Sequence, residues 1–176
     1  MMSSKIDNQT FFNQNKTPRW NNAPIVVAWK FSSAENLGAL LRVCDNFGVQ
    51  EVFFVGDEAD YKHSKIKRNA TTSINKVAWK FVTEAEIWSK LPSETMKIAV
   101  DTTSVSVELN QYNFQALENS FCLFFGNETI GLETEVIQKC AASIHIPMIG
   151  NSFSMNVVQA ASVTLYEAVR QCVLKH

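Results

Sequence analysis

Apolar and polar positions change rhythm repeatedly along this 176-residue chain. From Pro24 onward, short apolar runs alternate with stretches of helical spacing. The runs IVVAW (25–29), EVFFV (51–55), VAWKFV (77–82), KIAVDT (97–102), SFCLFFG (120–126) and SIHIPM (143–148) read as strands. After the first run, Leu37, Leu40, Leu41, Cys44 and Phe47 recur at a helical period, with Ser32 or Ser33 as candidate cap and Gly48 as the stop. Residues 84–91 and 133–140 predict short helices. Residues 154 to about 174 predict a long one, with Ser154 as a candidate cap and Asn156 in its first turn. The stretch 57–76 reads as polar and irregular, and 103–119 as a long connection without a domain boundary. Strands alternating with helices predict an α/β fold, a mostly parallel sheet flanked by helices on both faces.

Composition narrows this picture. With 46% hydrophobic residues the chain can bury a core, expected over 24–176. Residues 1–23, polar and rich in Asn, read as a flexible N-terminal extension, with Phe11, Phe12 and Trp20 as its candidate anchors. A net charge of −1 gives no global attraction to nucleic acid, so any such signal must be local. The segment 61–76 supplies one, with Lys62, Lys65, Lys67, Arg68 and Lys76, and Lys16 and Arg19 could add to it. A charge run of this kind is either a solvated loop or a phosphate-binding patch. No run approaches the apolar length of a membrane span, and the N-terminus has no apolar signal-peptide core, which predicts a cytoplasmic protein without a membrane partner. Cys44, Cys122, Cys140 and Cys172 form no CxxC pair and have no His at metal spacing, so they read as buried, reduced thiols and no metal site is expected. His145, inside an apolar strand, reads as a packed histidine.

Three places carry polar residues that a plain connector does not need. Asn36 and Gly38 open the first helix and Arg42 sits on its second turn. Arg42 is either a solvated side chain or a guanidinium aimed at phosphate or a reacting oxygen. In LFFGNETIGLE a strand ends at Gly126, whose missing side chain would let a ligand approach the backbone, followed by Glu128, either a cap of the helix near Glu133 or a site residue. In IPMIGNSFSMN another strand end runs through Gly150, Ser152, Ser154 and Asn156 into the last helix. Ligands of open α/β sheets bind beyond the carboxyl ends of strands. Neither G-x-G-x-x-G nor the P-loop pattern is present.

Taken together and in order, these residues resemble the three motifs of the SpoU (TrmH-like) branch of the SPOUT RNA methyltransferases. Asn36, Gly38 and Arg42 match N-x-G-x-x-x-R. Phe125, Gly126, Glu128 and Gly131 match F-G-x-E-x-x-G. Ile146, Pro147, Met148, Gly150, Ser154, Met155, Asn156, Val157, Tyr166 and Glu167 match the third motif, I-P-M-x-G followed by S-[LM]-N-V and a helix with Y-E. Val158 departs from it, since many members carry Ser there. The resemblance spans about residues 25–172.

The resemblance implies a sheet with a deep C-terminal trefoil knot and a homodimer whose site is shared between subunits. It implies methyl transfer from S-adenosylmethionine to a ribose 2′-hydroxyl of tRNA or rRNA, without a metal. tRNA is slightly favoured because the separate RNA-binding domain of larger members has no counterpart in this sequence. The implied catalytic set is Arg42, Asn36 and Glu128. The implied cofactor-binding set is Thr102, Thr103, Gly126, Ile146, Ser154, Met155 and Asn156. Lys62, Lys65, Lys67 and Arg68 are the implied RNA contacts. Two other readings stand beside this one: a non-catalytic RNA-binding protein on the same scaffold, and an ordinary doubly wound nucleotide-binding domain, against which the missing glycine fingerprint counts.

Overall fold

The computed structural model describes residues 7, 10 and 18–174. Phe11, Phe12 and Lys16 lie outside the described residues. Seven strands, β1 (Ile25–Trp29), β2 (Glu51–Val55), β3 (Ala78–Val82), β4 (Met96–Val100), β5 (Val107–Glu108), β6 (Phe121–Phe125) and β7 (Ala142–His145), form one sheet in the order β3-β2-β1-β6-β4-β7-β5. Every pairing is parallel. Five helices among residues 18–174 accompany them: α1 (Ala34–Asn46), α2 (His63–Ala70), α3 (Ile87–Lys90), α4 (Thr134–Gln138) and α5 (Val157–Cys172).

The central strands β1 and β6 are buried at every position, as a parallel sheet covered on both faces requires. Side chains alternate between two cores. Val26, Ala28, Leu123 and Phe125 face Leu37, Leu41, Ile66 and Leu165 of α1, α2 and α5. Val27, Trp29, Cys122 and Phe124 face Ile87, Leu91 and Val136, around α3 and α4. The chain visits the sheet out of order: β7 is inserted between β4 and β5, both of which precede it.

The α1 helix is capped by Ser33, whose hydroxyl accepts from the Asn36 N–H at 3.2 Å, and the chain turns after it at Gly48 with φ +66°. The segment expected to be irregular, 57–76, is instead mostly helical. Its eight-residue α2 has only Ile66 and Ala70 as buried positions, too few for a periodic signal, yet both are completely buried against α1. Gly38 permits that packing. A Cβ there would lie 2.3 Å from the Ile66 carbonyl oxygen and 2.8 Å from the Asn69 Cβ.

Other boundaries shift as well. The 103–119 connection contains the two-residue edge strand β5 and two short 3-10 turns at 109–111 and 114–116. The last strand stops at His145, not at Met148, because the chain leaves the sheet at Ile146. The cap of α5 is Asn156, not Ser154: its Oδ1 accepts from the Val158 and Gln159 N–H groups at 2.9 and 3.4 Å. Trp20 does act as an anchor, its indole N–H donating to the Phe47 carbonyl at 2.7 Å and its ring meeting Phe121 edge-on. Of the cysteines, Cys44 and Cys122 are buried, whereas Cys140 and Cys172 are only partly so. No helix among the described residues is long and apolar enough to cross a membrane.

Candidate active site

The register of the sheet brings three chain ends to one level. Val100, Phe125 and Ile144 are paired across β6, β4 and β7, so the residues just beyond them, Asp101, Gly126 and His145, leave the sheet side by side. They floor a cleft of about 330 Å³, within the range of small-molecule sites. Thr102 and Ile146 continue the floor; Asn127, Glu128 and Gly131 form one wall, and Met148, Ser154 and Met155 the other. A larger hollow of about 440 Å³ lies at the opposite, N-terminal end of the sheet beside Met96, Lys97 and Ala141. It lacks the strand-end position at which open α/β sheets bind ligands.

The wall 127–131 is a tight hairpin built on itself. The Asn127 and Gly131 backbones exchange hydrogen bonds of 3.1 and 2.9 Å, and the Asn127 side-chain oxygen accepts from the N–H groups of Thr129 and Ile130. Asp101 secures its base, one carboxylate oxygen taking the Thr102 N–H and the other the Leu132 N–H, both at 2.7 Å. The need for glycine at 126 differs from the sequence expectation. A Cβ there would come within 2.1 Å of the Gly131 carbonyl carbon, so it is the hairpin's own backbone that approaches Gly126.

Glu128 does not cap the helix that follows it. Its carboxylate crosses to the β1–α1 loop, accepting from Ser32 N–H at 2.7 Å, Ser32 Oγ at 2.9 Å, Ser33 N–H at 3.2 Å and the Asn36 side-chain amide at 2.7 Å. Burial alone would push its pKa up. The hydrogen bonds from Ser32 and Asn36 outweigh burial and leave it below the usual carboxylate value, so the group is ionised at neutral pH. Tyr61 braces the same loop by donating to the Phe31 carbonyl, and burial, with the charges of Asp60 and Glu128, raises its phenol pKa.

The other expected residues are distributed as follows. Thr102, Gly126, Ile146, Ser154 and Met155 line the cleft. Thr103 stands behind it, bonded through its N–H to Ser106 Oγ, and Asn156 is occupied as the α5 cap. His145 reaches Ser106 Oγ through Nδ1 at 2.9 Å, a satisfied histidine at the cleft floor. Arg42 lies on α1 one turn beyond Gly38 on the same face, exposed, with no ion pair or hydrogen bond among the described residues. Lys62, Lys67 and Arg68 are exposed on the α2 segment, while Lys65 is paired with Glu35 at 2.8 Å. Among the described residues no group of three or more His, Cys, Asp or Glu side chains could hold a metal.

Sequence reasoning passed over Asp101, Asn127 and Lys30. The acid that closes the apolar run KIAVD, and the Asn inside GNE, were the available signals. Lys30 offered none, because its contacts come from three other segments of the chain.

Comparison with known proteins fits this geometry. The chain is 29% identical over 149 residues to a tRNA (guanosine(18)-2′-O)-methyltransferase of Aquifex aeolicus, covering 84% of this chain and 69% of that protein. It is 28% identical over 154 residues to a tRNA (cytidine(34)-2′-O)-methyltransferase of Escherichia coli K12, covering 83% of this chain and 92% of that one. The crystal structure of the SpoU methyltransferase AviRb from Streptomyces viridochromogenes in complex with AdoMet superposes with a TM-score of 0.70 at 26% identity, covering 87% of this chain and 58% of that chain. Several relatives are thus much longer, the chain spanning little more than half of them. The sequence model of the SpoU rRNA Methylase family matches residues 23–166, and this chain belongs to that family.

Proposed function

We propose that this chain is an S-adenosylmethionine-dependent methyltransferase acting on a ribose 2′-hydroxyl of tRNA or rRNA, with tRNA the favoured substrate. The observation that carries the reading is the Glu128 clasp. One carboxylate ties the wall of a strand-end cleft to Asn36, at the start of the helix that presents Arg42. A group-transfer site needs this joining of a donor cleft to an acceptor surface in fixed geometry.

The cleft suits the cofactor by size and by lining. It offers strand-end backbone at Gly126 and Ile146, hydroxyls at Thr102 and Ser154, and apolar cover from Met148 and Met155. S-adenosylmethionine, when bound, supplies a methyl group on a sulfonium centre. The Arg42 guanidinium carries N–H donors and no acceptor, and so cannot serve as the base. Its role is to hold the phosphate beside the reacting ribose and to stabilise alkoxide charge as it develops, the proton leaving through phosphate or water. Asn36, fixed by Glu128, keeps the start of α1 in register. Lys62, Lys67 and Arg68, on the segment that Gly38 seats against α1, extend the phosphate-binding surface.

The same reading makes residues 24–176 the catalytic domain, includes the C-terminal knot, and sets the protein in the cytoplasm with its RNA. The insertion of β7 between two earlier strands supports the knot. It also makes the protein a homodimer. Ile149 and Phe153 are 95% and 97% exposed, and Val163 and Tyr166 of α5 lie open as well, an apolar surface that a second copy would cover.

The test is transfer of labelled methyl from S-adenosylmethionine to RNA from a host lacking the gene, followed by mapping of 2′-O-methylated nucleotides. Absence of transfer to every RNA pool, with intact RNA binding, would favour the non-catalytic reading.

A further inference from the structure

Lys30 has a backbone that a lysine seldom adopts. Its φ is +51°, the left-handed region where glycine is the default. What lysine adds at this position is its side chain. Nζ pairs with Glu84 and with Glu133, each at 2.7 Å, and the Trp29 indole N–H also reaches Glu133, at 3.4 Å. The backbone is engaged as well: the Lys30 N–H donates to the Val55 carbonyl at 3.0 Å, and its own carbonyl accepts from the Asn127 side-chain amide at 2.7 Å. One residue therefore fastens the ends of β1 and β2, the loop before α3, and both ends of the 127–133 loop.

That loop is the cleft wall. Asn127 organises it from within, and the same amide group that meets Lys30 fixes which way the Asn127 side chain points. Lys30 itself does not line the cleft. The Glu128 clasp holds the loop on the acceptor side, and Lys30 holds it from behind.

We propose that Lys30 is a positioning residue, which holds the 127–133 loop in the geometry that receives S-adenosylmethionine. The inference rests on the methyltransferase reading. It extends that reading to a residue that touches neither donor nor acceptor. Of its two ion pairs, that with Glu133 is the better shielded, both side chains being 33% exposed, whereas Glu84 is 55% exposed and its pair is screened like a surface one.

The test uses the full chain with Lys30→Met, Lys30→Gly, Lys30→Arg and the double variant Lys30→Met/Glu133→Gln. Lys30→Gly keeps the positive φ without strain and removes only the side chain, so it separates the ion pairs from the backbone. Amide hydrogen exchange without cofactor reads the loop directly. The N–H groups of Thr129, Ile130 and Leu132 should exchange about five- to tenfold faster in the Met and Gly variants and near the wild-type rate in the Arg variant. Calorimetry should show S-adenosylmethionine affinity weakened by about the same factor, with kcat at saturating cofactor within about twofold of wild type. The double variant should be no worse than Lys30→Met.

If melting temperature alone falls, while loop exchange and cofactor affinity stay at wild-type values in both the Met and Gly variants, Lys30 is a structural ion pair and the inference is wrong. If the wild type takes up no S-adenosylmethionine, the methyltransferase reading fails and this role falls with it. Uptake by the wild type and equally by the variants removes only the role of Lys30.

Discussion

The pKa of the Glu128 carboxylate is pushed up by burial and pulled down more strongly by the donors of Ser32 and Asn36. Its folded pKa is therefore depressed, and the sign of its pH dependence follows. Its contribution to stability is fully present above the unfolded value, about 4.3, and is lost as pH falls through the lower folded value. Glu128→Gln should destabilise by about 1–2 kcal/mol at pH 7 in urea unfolding. The gap to wild type should close below about pH 4; a gap unchanged down to pH 3 would show that charge is not what holds the loop. Arg42 is a different kind of residue, exposed and without a hydrogen-bond or ion-pair partner among the described residues. Arg42→Ala should therefore leave the melting temperature and cofactor affinity near wild type and lower kcat by more than about 100-fold. Equal loss of cofactor affinity would give it a structural role instead. Asn36, Gly38 and Arg42 were visible in the sequence as odd polar or small residues on an apolar helix. The bond from Asn36 to Glu128 was not, since 92 positions separate them.

Two elements show how a helix is placed by a single position. The α2 segment sits on α1 through Gly38, where a Cβ would meet backbone, not a yielding side chain. Gly38→Ala should overpack this contact at a loss of about 2 kcal/mol, lowering the melting temperature by roughly 4–8 °C despite the better helix propensity of Ala. The start of α5 supplies a paired test. Asn156→Ala removes the cap and should destabilise by about 1 kcal/mol, whereas Ser154→Ala should leave stability within about 0.5 kcal/mol and act on cofactor affinity. The opposite pattern would return the cap to Ser154. Sequence reasoning chose Ser154 because any small polar residue before an apolar helix can cap it. Which one does so is decided by where the chain leaves β7 and how far the loop travels before turning.

At the scale of the whole molecule, the net charge of −1 leaves RNA attraction to a local surface. Under the proposed function the exposed Lys62, Lys67 and Arg68 of the α2 segment, which packs on α1, would supply it, with Lys65 already paired with Glu35. The double variant Lys67→Ala/Arg68→Ala should weaken binding to all RNA sequences alike and flatten the dependence of log affinity on log salt by about 1–2 units. Lys65→Ala should change that slope least. Cys44, Cys122 and Cys140 should be inert toward alkylation in the folded state, because burial raises the pKa of Cys44 and Cys122 and pushes Cys140 up to about 12.

The sequence by itself determined the alternation of strands and helices, the two buried faces of β1 and β6, and the three polar strand ends. These are local properties: apolar runs, helical periods and motif spacing are set by neighbouring residues. The tertiary structure decided what those residues do to one another. It inserted β7 between β4 and β5, made α2 a helix on the strength of two buried contacts, and packed the Gly131 backbone where a side chain at Gly126 would stand, with Gly126 still at the cleft floor. It joined Glu128 to Asn36 and Lys30 to Glu84 and Glu133. Each of these is a contact between segments distant in the chain, and only the folded backbone, in register across the sheet, fixes which distant groups come within a hydrogen bond of one another.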